Sequence, residues 1–315
     1  MRAIQIVELN GPESLKLANI EEPSGDGVLV DVRAAGVSFP EVLQSRGLYQ
    51  LKPDLPFVPG SEVAGTVRED AGPFKAGDRV AAFCMLGGFA EVARAQPQFT
   101  FKLSDQLDFA QGAGLILNYH TAYFALKLRG RLSEGETVLV HGAAGGVGTA
   151  SIQVAKGLGA TTIAVVSSDE KERIARAAGA DEVLRSDGDW KDEAKARGGV
   201  DVVLDPVGGD RFTDSLRSLK PDGRAIVVGF TAGAIPEVKV NRLLLNNIDV
   251  VGAGWGAYIG RKPETIGEIA AALDDLIAAG HVKPLVGARF PLERASDALK
   301  LIDERGATGK VVLEP

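Results

Sequence analysis

The sequence predicts an α/β protein with two domains, one rich in short β-strands and one built on a doubly wound parallel sheet. A chain of 315 residues is longer than one ordinary hydrophobic core requires, which favours two domains. Up to about residue 115, short apolar runs alternate with turn-forming clusters, a pattern typical of short strands. From Thr137 to about Gly254, β-branched runs alternate with helical stretches, as βαβ units do.

The β-rich domain is expected to hold strands at three early apolar runs and at one late run. The early runs are Val28–Val32, Val63–Val67 and Arg79–Phe83. The late run, Lys310–Glu314, has the same character, so we expect it to return to the first domain. The predicted bounds are 1–117 with 281–315 for the β-rich domain, and 118–280 for the parallel-sheet domain.

The parallel-sheet domain is expected to alternate strands with helices along the chain. Strands are predicted at Thr137–His141, Thr162–Val166, Glu182–Leu184, Val200–Asp205, Arg224–Gly229 and Asp249–Ala253. Helices are predicted at Val147–Leu158, Asp169–Ala178, Trp190–Arg197, Arg211–Leu219 and Pro263–Ala279.

Composition and charge restrict the class of protein and its partners. Hydrophobic residues make up 45% of the chain and charged residues 24%, the balance of a soluble globular protein. The formal net charge is −7 and no basic stripe occurs, which argues against nucleic acid as the main partner. The single cysteine, Cys84, cannot form a disulfide within the chain. With no signal-like N terminus and no long apolar run, a cytoplasmic protein without a membrane span is expected.

The most specific local motif is a glycine-rich turn between a predicted strand and a predicted helix. Glycine lets the backbone approach a pyrophosphate, and the helix N terminus offers free N–H groups. Gly145 and Gly148 fill the second and third positions of a G-x-G-x-x-G pattern, while Ala143 replaces the first and should avoid positive φ. A tight turn that binds nothing is the alternative. The cofactor-binding candidates here are Ala144, Gly145, Gly146, Val147 and Gly148.

The end of the second predicted strand indicates which nicotinamide cofactor binds. In NAD-binding units an acidic residue about 20 positions past the glycines binds the ribose hydroxyls. No Asp or Glu lies between Gly148 and Ser168, and Ser167 and Ser168 are followed by Lys171. Hydroxyls, a helix N terminus and a lysine would favour a 2′-phosphate, so NADPH is favoured over NADH. Alternatively, Ser167 with Glu170 only caps the helix and Lys171 is a solvated residue.

These motifs, together with others along nearly the whole chain, resemble the zinc-free quinone oxidoreductase branch of the medium-chain dehydrogenase/reductase superfamily. The resemblance implies a first domain like the chaperonin-10 barrel, completed by the C-terminal tail, and a central Rossmann domain that binds NADPH. It also implies a homodimer joined through Rossmann-domain strand edges. The matching segments are Ala34–Glu41, Arg46–Tyr49, Leu55–Gly65, Lys75–Val80, Thr121–Leu126, His141–Gly148, Asp201–Asp205 and Gly309–Leu313.

The residues that would hold zinc are missing from the sequence. Zinc-dependent relatives carry a cysteine where this chain has Ser38, and a histidine further on. Here Glu62 has no neighbouring histidine, and Cys84 is the only cysteine. A catalytic zinc needs three protein ligands, commonly Cys and His. We therefore expect no metal, and without a Lewis acid the oxidation of alcohols is improbable.

Catalytic and further cofactor contacts are assigned largely by the resemblance. Tyr49 is the candidate hydrogen-bond donor to the acceptor, although it could equally be a packing residue. Ser38 stands where the family usually has asparagine and could still donate near the nicotinamide. Thr121 opens a predicted helix and could touch the nicotinamide ribose, or could be structural. The remaining cofactor-binding or pocket candidates are Gly229, Phe230, Thr231, Gly254 and Trp255.

The expected activity is transfer of hydride from NADPH to quinones or other α,β-unsaturated carbonyl compounds. Such acceptors need no metal because their developing negative charge is delocalised onto oxygen. A second possibility is reduction of enoyl thioesters such as enoyl-CoA. A third, from a different class, is an NADPH-binding sensor or structural protein, which the departure at Ser38 supports. His120 and His141 are expected to be structural.

Overall fold

The computed structural model describes all residues from Met1 to Pro315 and divides into two compact units. Unit 1 comprises Met1–Leu117 with Pro284–Pro315, and unit 2 comprises Asn118–Lys283. The structure thus assigns residues 281–283 to unit 2. The reason is that the side-chain amide of Gln153 accepts a hydrogen bond from the Lys283 N–H and donates one to its carbonyl, both at 2.9 Å.

The first part of unit 1 is a largely antiparallel β structure. Short strands form where valine-rich runs alternate with turns, as expected for half-buried pleated surfaces. Its elements are β1 Arg2–Ile6, β2 Leu15–Asn19, β3 Val28–Val37, α1 Phe39–Ser45, β4 Glu62–Val67, β5 Arg79–Phe83, β6 Val92–Ala95, β7 Thr100–Lys102 and α2 Phe109–Gly112.

Unit 2 is a parallel sheet with helical connections. Its strands are β8 Thr137–Val140, β9 Thr161–Val166, β10 Glu182–Arg185, β11 Val200–Asp205, β12 Leu219–Val227 and β13 Asp249–Gly252. Its helices are α3 His120–Tyr123, α4 Gly146–Gly157, α5 Asp169–Ala177, α6 Trp190–Ala196, α7 Phe212–Ser218, α8 Asn241–Asn246, α9 Trp255–Ile259 and α10 Thr265–Ala278.

The strand order of unit 2 is β10-β9-β8-β11-β12-β13, and every pair is parallel. Numbered within the unit, this is the 3-2-1-4-5-6 order of a Rossmann fold, whose crevice lies where the order reverses at its first strand. The predicted fold class is confirmed. No helix in the structure has both the length and the apolar character needed to cross a bilayer.

The C-terminal segment completes unit 1 with β14 Val286–Pro291, α11 Ala295–Asp303 and β15 Lys310–Glu314. Strand β15 pairs antiparallel with β3, with Val312 opposite Gly36, and β14 lies parallel on its other side. The seven-stranded sheet runs β14-β15-β3-β4-β5-β7, with β6 also paired to β3. The prediction that the last strand returns to the first domain is confirmed.

Two local predictions need correction. Strand β12 begins at Leu219 rather than Arg224, because the chain pairs with β11 on both sides of an irregular stretch in which Asp222 adopts φ 64°. Thr121 does not open a helix. It lies inside α3, which follows a π-helical segment, Leu115–Tyr119, without a break.

Candidate cofactor site and active site

The glycine turn after β8 has the shape that a dinucleotide-binding turn requires. Gly142 adopts φ 58°, which glycine reaches without steric cost. A Cβ on Gly148 would lie 2.2 Å from the Gly142 oxygen and 2.6 Å from the Ala143 Cα. Position 148 therefore accepts only glycine if helix α4 is to pack this closely on the turn. Ala143 is not in the left-handed region, as expected from the sequence.

The outer face of the same turn is open to a ligand. Gly145 caps α4 in an extended conformation, and a Cβ there would meet only the Gly142 oxygen, at 3.5 Å. The first N–H groups of α4 have no acceptors within the helix and carry its partial positive charge. The predicted segment from Ala144 to Gly148 thus forms one cradle that fits a pyrophosphate.

Asn118 supports this cradle from behind, and sequence reasoning missed it. Its side-chain amide lies where a Cβ on Gly146 would fall, with Nδ2 only 2.3 Å from that position. The Asn118 side chain is buried, so Gly146 must be glycine for the amide to fit. No local sequence pattern marks Asn118, because it lies well before the glycine motif in the chain and approaches Gly146 only in the fold.

The turn after β9 brings Ser167, Ser168 and Lys171 together. Ser168 is the N-cap of α5, and its Oγ accepts a hydrogen bond from the Lys171 N–H at 3.3 Å. The cap is therefore Ser168, not Ser167 as in the alternative interpretation. The Lys171 ammonium donates to the Ser167 hydroxyl at 3.4 Å. A hydroxyl pair, a helix N terminus and an ammonium are a suitable set for a phosphate.

Arg185 adds a second cation to this turn and was not predicted. It ends β10, where it is paired beside Val166. Its guanidinium donates to the Ser167 carbonyl at 3.1 Å and to Asp169 at 2.5 Å, and this carboxylate raises the pKa of Arg185. The strand order was needed to find Arg185, because it comes from the neighbouring strand rather than from the second βα turn.

The carboxyl ends of β11 and β12 also meet at this edge of the sheet. The Asp205 carboxylate accepts hydrogen bonds from the N–H groups of Val207 at 2.7 Å and Gly208 at 2.9 Å. Burial raises the pKa of Asp205, and its other oxygen has no hydrogen-bond partner. The Thr231 N–H bonds the Pro206 carbonyl at 3.1 Å, so the predicted segment Gly229–Thr231 lies against this loop.

The remaining candidates of unit 2 differ in exposure. Gly254 caps α9, and no atom lies within 4 Å of a Cβ placed there. Trp255 is 3% exposed and stacks edge-on against His120 with ring centroids 5.6 Å apart. Its indole is thus largely enclosed, and its proposed contact with the cofactor or substrate stays a prediction. Thr121, beside His120 in α3, is half-buried.

Both buried histidines lie in unit 2. Burial lowers the pKa of His120 and of His141 to about 3 in each case. His141 Nε2 hydrogen-bonds the Ser215 hydroxyl at 2.8 Å, and its ring packs edge-on against Trp190. Neutral, enclosed rings of this kind have the character of structural groups.

Unit 1 contains a buried polar cluster around the N terminus of α1. Ser38 caps this helix, and the Glu41 carboxylate accepts a hydrogen bond from the Ser38 N–H at 2.9 Å. The other Glu41 oxygen accepts from the Ser61 N–H at 3.1 Å and the Ser61 hydroxyl at 2.6 Å. Burial raises the pKa of Glu41.

Lys310, the first residue of β15, brings a positive charge into this cluster. Its ammonium donates to the Ser38 hydroxyl oxygen at 2.7 Å and to Glu62 at 2.5 Å. The second Glu62 oxygen accepts from the Leu117 N–H at 2.7 Å. Glu62 and Lys310 lie in the family-like segments Leu55–Gly65 and Gly309–Leu313, but the sequence did not predict that they form an ion pair. The sequence feature that could have indicated the pair is the charged residue that begins each of two apolar strands, Glu62 in β4 and Lys310 in β15.

Tyr49 lies beyond α1 and is half-buried. Burial and the nearby Glu41 carboxylate raise the pKa of Tyr49, so its phenol is protonated at neutral pH and able to donate a hydrogen bond. Burial also raises the pKa of the Cys84 thiol to about 12, which makes it a poor nucleophile. No group of three or more His, Cys, Asp or Glu side chains is placed to hold a metal ion.

The comparisons with family models define the class of protein. The family model described as the alcohol dehydrogenase GroES-like domain matches residues 24–105, and the one described as zinc-binding dehydrogenase matches residues 146–274. A GroES-like unit combined with a Rossmann sheet is the architecture of the medium-chain dehydrogenases/reductases.

Comparison with individual relatives shows to which branch of this family the chain belongs. The chain is 38% identical to the mouse protein named quinone oxidoreductase-like protein 2, over 99% of this chain and 91% of that protein. It is 35% identical to human quinone oxidoreductase, over 99% and 97%. The solved quinone oxidoreductase of Thermus thermophilus, also solved as its complex with NADPH, is 34% identical and covers 100% of both chains with a TM-score of 0.88. The chain belongs to the quinone oxidoreductase-like branch of this family.

Proposed function

We propose that this protein is an NADPH-dependent, zinc-independent reductase that transfers hydride to quinones and other α,β-unsaturated carbonyl compounds. The observation that carries the proposal is the turn after β9, where Lys171 and Arg185 flank Ser167 beside an open glycine cradle. Two cations at this position suit the 2′-phosphate that distinguishes NADPH from NADH. The relatives named as quinone oxidoreductases support the acceptor class.

Each unit supplies a separate part of the reaction. Bound NADPH provides a hydride for the electrophilic carbon of the acceptor. In unit 2, the N–H groups of Gly146–Gly148 would hold the pyrophosphate, while Lys171 and Arg185 would hold the 2′-phosphate. In unit 1, Tyr49 and Ser38 donate hydrogen bonds to the acceptor oxygen as negative charge develops on it. A proton from solvent then completes the reduced product.

The proposal that no zinc is required rests on the residues of unit 1. A hydroxyl group stands at Ser38, where zinc-dependent relatives carry a cysteine ligand, and Glu62 has no neighbouring histidine. The Glu62 carboxylate already binds an internal cation, the Lys310 ammonium. A metal ion would therefore meet a poor set of ligands and a competing positive charge.

The experiment that tests this function follows NADPH consumption with a panel of quinones, simple enones and crotonyl-CoA. The protein is first dialysed against a chelator, and its metal content is measured by elemental analysis. We expect quinone reduction to survive chelation in protein without stoichiometric zinc. Preference for crotonyl-CoA would instead identify an enoyl-thioester reductase. Tight NADPH binding with no turnover of any acceptor would identify a cofactor sensor.

We also propose a homodimer joined at the free edge of the parallel sheet. Strand β13 ends the six-stranded sheet, and an unpaired edge strand favours pairing with another chain. Four large apolar side chains just before it are 72–76% exposed, namely Ile235, Val240, Leu244 and Leu245. A second copy of this chain covers both features in an isologous interface. Sedimentation velocity should show a dimer, and Leu244→Asp with Leu245→Asp should give a monomer.

A further inference from the structure

Lys310 is a buried lysine that has no part in the hydride transfer described above. Its side chain is 3% exposed, and its Glu62 partner is fully buried. Burying such a pair costs desolvation energy that the mutual attraction offsets only with good geometry, so it is weak support for a purely stabilising role. The pair lies beside Ser38, a candidate catalytic residue, which indicates a role in the active site and not in stability alone.

Hydrogen-bond chemistry fixes the direction of the Ser38 hydroxyl. An ammonium can only donate, so the Ser38 oxygen accepts from Lys310 at 2.7 Å. The ammonium thus occupies a lone pair of the Ser38 oxygen. The hydroxyl proton is directed away from Lys310 and remains able to donate.

The nearby carboxylates are engaged elsewhere. The Glu41 oxygens accept from the Ser38 N–H and from Ser61, and the Glu62 oxygens accept from Lys310 and the Leu117 N–H. Ser38 is 9% exposed, whereas Glu41 and Glu62 are fully enclosed. Among these three residues, Ser38 is therefore the one that a ligand can reach, and its hydroxyl proton is available to donate.

The backbone keeps the lysine in place. A Cβ on Gly36 would lie 2.7 Å from the Lys310 Cε, and one on Gly114 would lie 3.0 Å from its Cγ. These two glycines leave the space through which the lysine stem passes. Since the stem is enclosed in this way, the ammonium position is set before any ligand binds, which is the preorganisation that electrostatic stabilisation requires.

We propose that Lys310 is a positioning residue that orients and polarises the Ser38 hydroxyl as a hydrogen-bond donor to the acceptor oxygen. The inference rests on the proposed function. No bond is made or broken at Lys310 or Ser38. The ammonium acts through the hydroxyl, and the hydrogen bond strengthens as the acceptor oxygen becomes negative. In this arrangement an internal ammonium supplies the positive charge that a metal ion would otherwise bring.

A double-mutant cycle tests this coupling. Lys310→Met alone would leave Glu62 buried without a partner, so the paired change Glu62→Gln with Lys310→Met is used. We expect this pair and Ser38→Ala each to lower kcat about 10-fold, the loss that corresponds to one ordinary hydrogen bond, with unchanged NADPH affinity. The three changes together should lower kcat no further than Ser38→Ala. Lys310→Arg should retain part of the activity.

A matched control separates coupling from lost stability. Arg224 and Glu136 form another partly buried ion pair, in unit 2. Glu136→Gln with Arg224→Met should lower the melting temperature but leave kcat unchanged below that temperature. Two outcomes would overturn the proposal. One is a kcat of the triple variant that falls by the product of the two separate losses. The other is a folded Glu62→Gln/Lys310→Met protein with normal kcat.

Binding of p-nitrophenolate provides a measurement that does not depend on turnover. This oxyanion accepts hydrogen bonds but no hydride, and difference absorption reports its Kd. We expect about 10-fold weaker binding in Ser38→Ala and in the Glu62→Gln/Lys310→Met pair, again without multiplication in the triple variant. If wild-type protein binds the phenolate in this way yet reduces no acceptor, the proposed function fails, while the coupling of Lys310 to Ser38 in binding an oxyanion is retained. Equal binding by all variants contradicts the role of Lys310.

Discussion

Single side chains at the turn after β9 should decide which nicotinamide cofactor is preferred. Lys171 and Arg185 both contact Ser167, so under the proposed function the removal of either cation should weaken a charge-assisted bond to the 2′-phosphate. Lys171→Ala and Arg185→Ala should each weaken NADPH binding by about 1–2 kcal/mol and leave NADH binding nearly unchanged. Fluorescence titration gives both constants. Lys75→Ala, an exposed lysine of unit 1, is the control, and equal losses for both cofactors would show that neither side chain contacts the phosphate.

Tyr49 offers a second test at this scale. Its raised pKa keeps the phenol protonated, so Tyr49→Phe removes a donor while the ring keeps its packing. We expect kcat to fall by roughly one to three powers of ten, with little change in NADPH affinity or melting temperature. The loss should be larger for enones than for quinones, which are stronger electrophiles. Wild-type rates with both acceptors would make Tyr49 a packing residue.

At the scale of secondary structure, two substitutions in the glycine turn before α4 should separate an effect on stability from an effect on NADPH binding. Gly148→Ala places a methyl group against the backbone of Gly142 and Ala143, so α4 must shift. Overpacking of this kind costs about 1–3 kcal/mol. Gly145→Ala is accommodated by the fold but adds a methyl group to the open face of the cradle.

The measurements are urea unfolding and NADPH titration of both variants. We expect Gly148→Ala to lose stability and NADPH affinity together, and Gly145→Ala to lose affinity at nearly unchanged stability. Normal NADPH binding by Gly145→Ala would mean that the pyrophosphate does not approach this face of the turn.

Elements whose pattern is local were predictable from the sequence. The runs that form β8, β9 and α4 combine a buried strand, a glycine turn and an apolar helix within about 30 residues. Contacts between distant segments were not predictable. Lys310 and Glu62 are 248 positions apart, and Arg185 reaches Ser167 only because β10 lies beside β9. Pairing of this kind depends on strand order and register, which a local pattern does not contain.

For the molecule as a whole, buried histidines make stability depend on pH. The pKa of His120 and His141 falls to about 3 in the folded protein, whereas an unfolded histidine titrates near 6.5. As pH falls below about 6.5, the unfolded chain binds protons that the folded chain does not. The free energy of unfolding should therefore decrease by roughly 1.4 kcal/mol per pH unit for each histidine until the pH approaches 3.

Urea unfolding at several values between pH 7 and pH 4 measures this slope. His141→Gln should make the dependence shallower by one proton, provided that the variant folds at pH 7. His281, which lies outside the buried set, provides the matched control as His281→Gln. The same slope in wild type and His141→Gln would contradict the neutral, enclosed state of this ring.

The pairing of β15 with β3 also orders the events of synthesis on the ribosome. All of unit 2 is translated before β15, so unit 2 can fold while β3 is paired with β4 and β6 but not yet with β15. Until Lys310 emerges, the Glu62 carboxylate has no cation and Ser38 has no ammonium behind it. The glycine turn before α4 can therefore form early, whereas the contact of Lys310 with Ser38 forms last. We expect a nascent chain that stalls before β15 to form this turn without an ammonium beside Ser38.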